Sequence, residues 1–305
     1  MDIFTTSFPR KREATAAIES IRLKADKHPR RSIRLSDGAL IRFPAVMGVL
    51  NVTPDSFSDG GRYRNPGQAR AHAIEMARAG ADIIDIGGES TRPGASEVSP
   101  EEELSRVIPV IRALRGAVTR PISIDTRKAS VARAALAEGA TIVNDVSAME
   151  FDPAMAETVA QARAAVILMH MRGTPATMMR RARYRDVVSE VREYLAARAR
   201  AAAKAGIARS RIIVDPGIGF AKTANHNLQL LNALPRLRKL GYPVLVGVSR
   251  KSFVRTIAGT SDIDLLFGTA AAVAVAIASG AAIVRVHDPE PMSAVVRVAS
   301  ALSPT

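Results

Sequence analysis

The sequence predicts an α/β protein, a (β/α)8 TIM barrel with an N-terminal β-hairpin. From Ala45 onward one unit recurs eight times: a short β-branched run, a loop rich in Gly, Asp and Ser, then an Ala-rich helical pattern. The runs are nearly continuous apolar stretches, as in a parallel sheet covered by helices, and eight units are the number that closes a barrel. A doubly wound open sheet would instead need G-x-G-x-x-G after its first strand. This chain has Asn51-Val-Thr-Pro-Asp-Ser-Phe-Ser-Asp-Gly-Gly61 there.

Ahead of the barrel, residues 32–44 read as short alternating segments around Asp37-Gly38, a hairpin placed to plug the barrel bottom. The eight strands are expected over 45–50, 82–86, 122–125, 141–144, 165–169, 211–214, 244–248 and 283–286. Their helices follow over 66–79, 100–115, 128–138, 153–163, 186–205, 225–240, 264–279 and 289–302. Punctuation agrees with this division. Pro66, Pro100, Pro153 and Pro289 stand in or near first helical turns, where a missing N–H costs nothing. Gly80, Gly139, Gly206, Gly241 and Gly280 follow the helical patterns, where a left-handed cap is expected.

The 305 residues are 47% hydrophobic and 24% charged, with 20 Gly and 17 Pro, which excludes disordered, collagen-like and coiled-coil classes. We expect one barrel domain over 32–305 behind a basic N-terminal arm over 1–31. That arm carries eight Lys or Arg against four acids and no apolar run, so it is no secretory signal, and a cytoplasmic protein is expected. The absence of Cys removes disulfides, Cys-ligated zinc, iron–sulfur clusters and thiol nucleophiles, and fits a reducing compartment. Apolar stretches such as 268–282 are short and built of small residues, so no membrane partner is expected.

The formal charge of +14 raises nucleic acid as a partner. The excess is concentrated in residues 1–44 and 172–211, while only 4% of the chain is aromatic and none is Trp. Stacking platforms are scarce and no nucleic-acid-binding motif appears, so a solvated basic surface, or a local field that steers a small anionic substrate, is the better reading.

In a (β/α)8 barrel the site forms where chain leaves the C-terminal strand ends. Those residues are strongly polar here: Asn51; Glu89 to Arg92; Asp125 and Thr126; Asn144 and Asp145; His170 and Arg172; Asp215; Ser249 to Lys251; Arg285 and His287. Singly, each has an ordinary structural reading, as a turn cap for Asp125 or Asp215, a surface charge for Lys251 or Arg285, or an N-cap at His287-Asp288. Eight strands converging polar groups on one rim are hard to explain by stability, since buried polar groups cost free energy unless paired. Asp and Asn side chains from the third, fourth and sixth strands suit a flat heterocycle with alternating donors and acceptors. Lys251, Arg285, His287 and the helix starting at Pro289 form a cationic corner suited to phosphate or pyrophosphate. Asn51 offers one neutral oxygen, so a metal would be Mg2+ held by water and substrate phosphates. There is no nucleophile elbow and no phosphate loop, which argues against covalent hydrolysis and nucleotide hydrolysis.

These motifs resemble those of the dihydropteroate synthase family of pterin-binding enzymes, the target of sulfonamides. The resemblance rests on residues 47–61, 80–95, Ile124-Asp-Thr126, 144–147, 168–175, 215–220, 247–253 and Arg285-Val-His-Asp288. It implies condensation of 7,8-dihydropterin-6-ylmethyl diphosphate with 4-aminobenzoate, to give 7,8-dihydropteroate and pyrophosphate. It also implies that Asp125, Asn144, Asp215 and Lys251 hold the pterin, with Met169 and Gly247 lining its slot. Asn51, Arg285 and His287, with Arg92, fall on the diphosphate and Mg2+. Thr91, Arg92, Pro93, Phe220 and Ser249 surround the aminobenzoate, Asp55 and Phe57 are the moving contacts of a loop, and a homodimer pairs through the seventh helix. The chain departs from the family pattern at Ala221, where Gly is usual, and at Leu265-Leu266-Phe267, where a charged pair is common. Three rivals remain: a pterin-dependent methyltransferase, a non-catalytic pterin-binding scaffold, and a nucleic-acid binder using the basic arm.

Overall fold

The computed structural model describes residues 32–53 and 66–303. The expectations for the arm over 1–31 and for Asp55 and Phe57 lie outside the described residues.

The hairpin forms as read. Strands β1 (Ser32–Arg34) and β2 (Leu40–Arg42) pair antiparallel, with Gly38 at φ +88° in the turn and Asp37 Oδ1 accepting the Ala39 N–H at 2.9 Å. Ile33, Leu35 and Ile41 pack against Ala45, Ile83, Ala165, Leu245 and Ile283, the first residues of barrel strands. The hairpin therefore closes the N-terminal end of the barrel and leaves the other end as the mouth.

The eight barrel strands are β3 (Ala45–Asn51), β4 (Ile83–Gly87), β5 (Ile122–Asp125), β6 (Ile142–Asp145), β7 (Ala165–Met169), β8 (Ile212–Asp215), β9 (Leu245–Gly247) and β10 (Ile283–Val286). All pair parallel in the order β8-β7-β6-β5-β4-β3-β10-β9. A parallel bridge between Val214 and Val244, with the Val214 N–H donating to Pro243 O at 3.0 Å, closes the ring.

The helices that cover the sheet are α1 (Pro66–Arg78), α2 (Pro100–Leu114), α3 (Ala129–Ala137), α4 (Met155–Gln161), α5 (Val187–Lys204), α6 (Ala224–Asn232), α7 (Leu234–Arg238), α8 (Ser252–Ala258), α9 (Asp262–Ala278) and α10 (Pro289–Leu302). Their starts are written in the sequence. Ser99 Oγ accepts the Glu102 N–H ahead of α2, Asp186 accepts from Val188 and Ser189 ahead of α5, and Ser261 and Asp264 form a capping box on α9. All five glycines expected after helices have positive φ.

Two expectations change. The single helix over 225–240 is broken into α6 and α7, because Pro235 has no N–H to continue the helical ladder. The seven-residue α8, which follows directly after Lys251, is additional to the eight expected helices, since so short a segment carries no periodic signal.

Candidate active site

At the barrel mouth, Arg285 on β10 reaches across the interior. Its Nε donates to Asp85 Oδ2 at 2.6 Å and its Nη2 to Asp125 Oδ2 at 2.7 Å. Asp85 lies on β4 with 0% exposure, and its Oδ2 also accepts Asn144 Nδ2 at 3.1 Å. Strand register places Gly87 beside both Asn51 and Asp125. A Cβ at Gly87 would lie 3.7 Å from Asn51 Oδ1 and 3.8 Å from Asp125 Oδ2, so this glycine brings the two polar side chains over one cradle. Burial pushes the Asp125 carboxyl up to about 7, against the pull of Arg285. Burial also opposes charge on Arg285, but Asp85 and Asp125 outweigh it and raise its pKa.

Across the mouth, Asp215 ends β8 in register with Met169 at the end of β7. Its Oδ1 accepts the Gly217 N–H at 2.7 Å, yet burial still raises the carboxyl to about 6. Gly217 sits at φ +68°, and a Cβ there would come within 2.1 Å of the His170 carbonyl oxygen, so no other residue fits this turn. The turn delivers Phe220, whose ring lies 4.3 Å from Lys251 Nζ in a cation–π contact. Burial pushes Lys251 down to about 8, with Arg285 adding repulsion while Asp215 and Asp125 oppose the shift. Met169 packs with Met171, Met178, Val146 and Ala221 to make a soft apolar wall. Gly247 ends β9 in register with Arg285 and contributes no side chain between them.

The third group is Ser249 with His287. Ser249 Oγ accepts the His287 backbone N–H at 3.2 Å and lies 3.1 Å from Nδ1 of the same ring. Burial and the neighbouring Arg285 hold the His287 imidazole well below its usual range, at about 3, so the ring is neutral. Ser249, expected beside the aminobenzoate, has both of these contacts with His287, which ties the end of β9 to the end of β10. Asp288 is not a side-chain cap either. It takes a two-point bond from Arg250, at 3.0 and 2.9 Å, and secures that arginine.

Thr91, Arg92 and Pro93 stand on the loop after β4, Thr91 half-buried and the other two exposed. Glu89 anchors the loop from within. It accepts the Val98 N–H at 3.0 Å, Lys128 Nζ at 3.0 Å and two bonds from Arg127 at 3.3 Å, while Glu103 takes Lys128 Nζ at 2.6 Å. The Gly94 N–H donates to Pro175 O at 3.1 Å and joins this loop to the one after β7. Glu89 is thus spent on architecture. So are Asp145, which caps Ser147 and Met149, and Arg172, which pairs with Glu190 and lies over the Tyr184 ring.

Two buried groups escaped the sequence reading. Asp85 was hidden inside an apolar strand, although a carboxylate flanked by isoleucines is itself a signal. Lys222 is 2% exposed and donates to Phe220 O at 2.8 Å and His170 O at 3.3 Å, with His170 Nδ1 at 3.0 Å. Burial lowers Lys222 to about 7 and His170 to about 2.

Comparison with known proteins agrees with this geometry. A family profile described as pterin binding enzyme matches residues 47–287. The dihydropteroate synthase of Synechocystis is 52% identical over 84% of this chain and 89% of its own length. The Yersinia pestis dihydropteroate synthase, solved in a sulfonamide drug complex, superposes with a TM-score of 0.85 at 40% identity, over 88% of this chain and 98% of that one. The Xanthomonas albilineans enzyme, solved in complex with 7,8-dihydropteroate, gives 0.79 at 41% identity, over 90% and 99%. A mouth lined by Asp125, Asn144, Asp215 and Lys251 beside a cationic corner, on a barrel shared with these proteins, leads to one conclusion: the chain belongs to the pterin-binding enzyme family, among the dihydropteroate synthases, transferases of folate synthesis.

Proposed function

We propose that this chain condenses 7,8-dihydropterin-6-ylmethyl diphosphate with 4-aminobenzoate, giving 7,8-dihydropteroate and pyrophosphate. The observation that carries the reading is the position of Arg285. It is bonded to Asp85 and Asp125 on the side of the polar slot, while its Nη1 makes no hydrogen bond among the described residues. Asp125, Asn144, Asp215 and Lys251 hold the pterin edge, with Met169 and Gly247 against its face. Arg285, His287, Asn51 and Arg92 receive the diphosphate, and Thr91, Arg92, Pro93 and Phe220 receive the arylamine.

The substitution is dissociative. The methylene C–O bond breaks, its electron pair leaves with the diphosphate oxygen, and the resulting cation is delocalised into the pterin ring. Asp125 offsets that charge from a water-poor site, where preorganised charge acts strongly. The arylamine lone pair then forms the C–N bond, and the nitrogen loses its proton to solvent or to the departing pyrophosphate. An aromatic amine is neutral at pH 7, so no general base is required.

Among the described residues no group of three His, Asp or Glu gathers to cage a metal, and Asn51 offers a single carboxamide oxygen. This donor set fits Mg2+ that arrives with the diphosphate and takes Asn51 as one ligand. When bound, Mg2+ would neutralise charge on the leaving group.

We further infer a homodimer through α9 and α10. Ile263, Phe267 and Val275 on α9 and Val298 and Leu302 on α10 are exposed large apolar residues on two helices packed together, the kind of patch a second copy covers. No single described helix is long and apolar enough to cross a membrane. With no Cys in the chain, we place the reaction in the cytoplasm.

Pyrophosphate release tests the activity, using the pterin diphosphate, Mg2+ and 4-aminobenzoate with a Lys251→Ala control. Release that requires the arylamine and collapses in the control is expected. Retained pterin binding without release would move the protein to the non-catalytic or methyl-transferring relatives.

A further inference from the structure

We propose that Ser249 is a positioning residue that fixes the tautomer and orientation of His287, so that the ring presents Nε2–H to the anion corner. The inference rests on reading that corner as the diphosphate site. A serine hydroxyl has one proton and two lone pairs. The His287 backbone N–H, 3.2 Å away, occupies one lone pair of Ser249 Oγ, and Nδ1 of the same residue lies 3.1 Å from the same oxygen. Among the described residues Nδ1 is the acceptor available to the hydroxyl proton. Placing that proton on Nδ1 leaves the neutral ring hydrogen on Nε2.

The arrangement is well held. Ser249 is 3% exposed and follows Val248, which is fully buried, so its side chain has little freedom to turn away. Two contacts to one histidine, through backbone and ring, fix the ring plane as well as its protonation pattern, which a single bond would not do. The second bond that a ligand-binding histidine makes decides which nitrogen faces the ligand. With Nε2–H facing the corner, a neutral imidazole donates to a diphosphate oxygen; the opposite tautomer would present a lone pair and repel it. His287 thereby adds a donor beside Arg285 without adding a charge, and the corner can release pyrophosphate after the reaction.

The test uses the full chain as wild type, Ser249→Ala and Ser249→Thr. Nitrogen-15 NMR of labelled histidine, assigned with His287→Gln, should find the wild-type His287 proton on Nε2, with Nδ1 in the hydrogen-bonded acceptor range. In Ser249→Ala the Nδ1 resonance should move to that of an acceptor without its partner. Calorimetry with pyrophosphate and Mg2+ should show binding weakened roughly tenfold in Ser249→Ala and restored by Ser249→Thr, while affinity for a pterin lacking the diphosphate stays unchanged. A wild-type proton on Nδ1, or equal pyrophosphate affinity in wild type and Ser249→Ala, overturns the role of Ser249. Failure of the folded wild type to bind pyrophosphate overturns the anion corner itself, and this proposal with it.

Discussion

Arg285 Nη2 stands 2.7 Å from Asp125 Oδ2, which links the group proposed to receive the leaving anion to the carboxylate proposed to face the pterin. Neither is free to move alone, because Asp85 holds Arg285 from behind at 2.6 Å and Asn144 at 3.1 Å through the same oxygen. Asp85 thus orients both halves of the site without reaching its surface. Asp85→Asn should lower kcat/KM for the pterin diphosphate by ~10–100-fold, the scale of lost outer-shell support. Asp85→Ala, which strips a buried cation of one partner, should also cost about 3–5 kcal/mol of stability. Steady-state kinetics and urea unfolding check both. Wild-type kinetics in Asp85→Asn would show that Asp125 and Asn144 hold the pterin unaided.

Lys251 supplies the pH dependence. Its ammonium is lowered by burial to about 8, so it is charged below that value and neutral above it. On the acid side, Asp125 takes up a proton as pH falls through about 7 and Asp215 as it falls through about 6. kcat/KM for the pterin diphosphate should therefore fall on both flanks, with the alkaline limb belonging to Lys251. An arginine does not deprotonate in this range, so Lys251→Arg should lose the alkaline limb whatever its absolute rate. A limb that persists in Lys251→Arg would assign it to another group.

Asp215 also carries a cost in the empty site. Its folded pKa is raised above the unfolded value, so the folded chain binds the proton more tightly than the unfolded chain does. The site's relative stability is full below about 4 and is lost as pH rises through about 6, an effect of about 3 kcal/mol at most. Asp215→Asn keeps the Oδ1 acceptor for Gly217 and removes the charge. Unfolding at pH 8 should show it more stable than wild type in the absence of ligand, with the difference gone by about pH 4, and with weaker pterin binding throughout. A destabilised Asp215→Asn at pH 8 would contradict this sign.

Much of this was legible because the barrel repeats one physical rule. Three of the eight strand ranges agree with the expectation at both ends, and the rest differ by a single residue at one or both ends, since apolar β-branched runs between Gly and Pro leave little choice. The rim was legible for the same reason: where strand apolarity stops, as at Asp125 and Asp215, the polar residue faces the mouth. What escaped depends on which partner each polar residue meets in the folded chain. Glu89 and Asp145 share the rim's composition, but partners 38 residues away in Arg127, or two away in Ser147, claim them. Ser249 is placed by His287, also 38 residues distant.

The anchored loop after β4 gives a separable prediction. Glu89 receives Arg127, Lys128 and the Val98 N–H, and burial opposes its charge, yet these partners lower its pKa. Glu89→Gln should leave two buried cations short of a partner and loosen the loop that carries Thr91, Arg92 and Pro93. The expected signature is a several-fold higher KM for 4-aminobenzoate with affinity for the pterin diphosphate little changed. Equal effects on both substrates would instead mean general destabilisation.

The wall of the proposed arylamine site rests on a strained alanine. Ala221 sits at φ +51° with 0% exposure, in a conformation that costs a side-chain-bearing residue about 1–2 kcal/mol. It is held there from both sides: Tyr184 Oη donates to Ala221 O at 3.0 Å and Lys222 Nζ to Phe220 O at 2.8 Å. The methyl in return joins the Met169, Met171 and Met178 cluster. Ala221→Gly relieves the strain but forfeits about 0.8 kcal/mol of methyl burial and frees the unfolded backbone by about 0.5–1 kcal/mol. These terms nearly cancel, so stability should change by no more than about 1 kcal/mol. Tyr184→Phe differs, because it removes a bond that positions the Phe220-Ala221 carbonyls and nothing compensates. It should raise KM for 4-aminobenzoate while Ala221→Gly leaves it nearly unchanged, and unfolding curves with arylamine KM values for the two variants decide the matter. The reverse order would mean that the methyl, and not the hydrogen bonds, sets the path of Phe220.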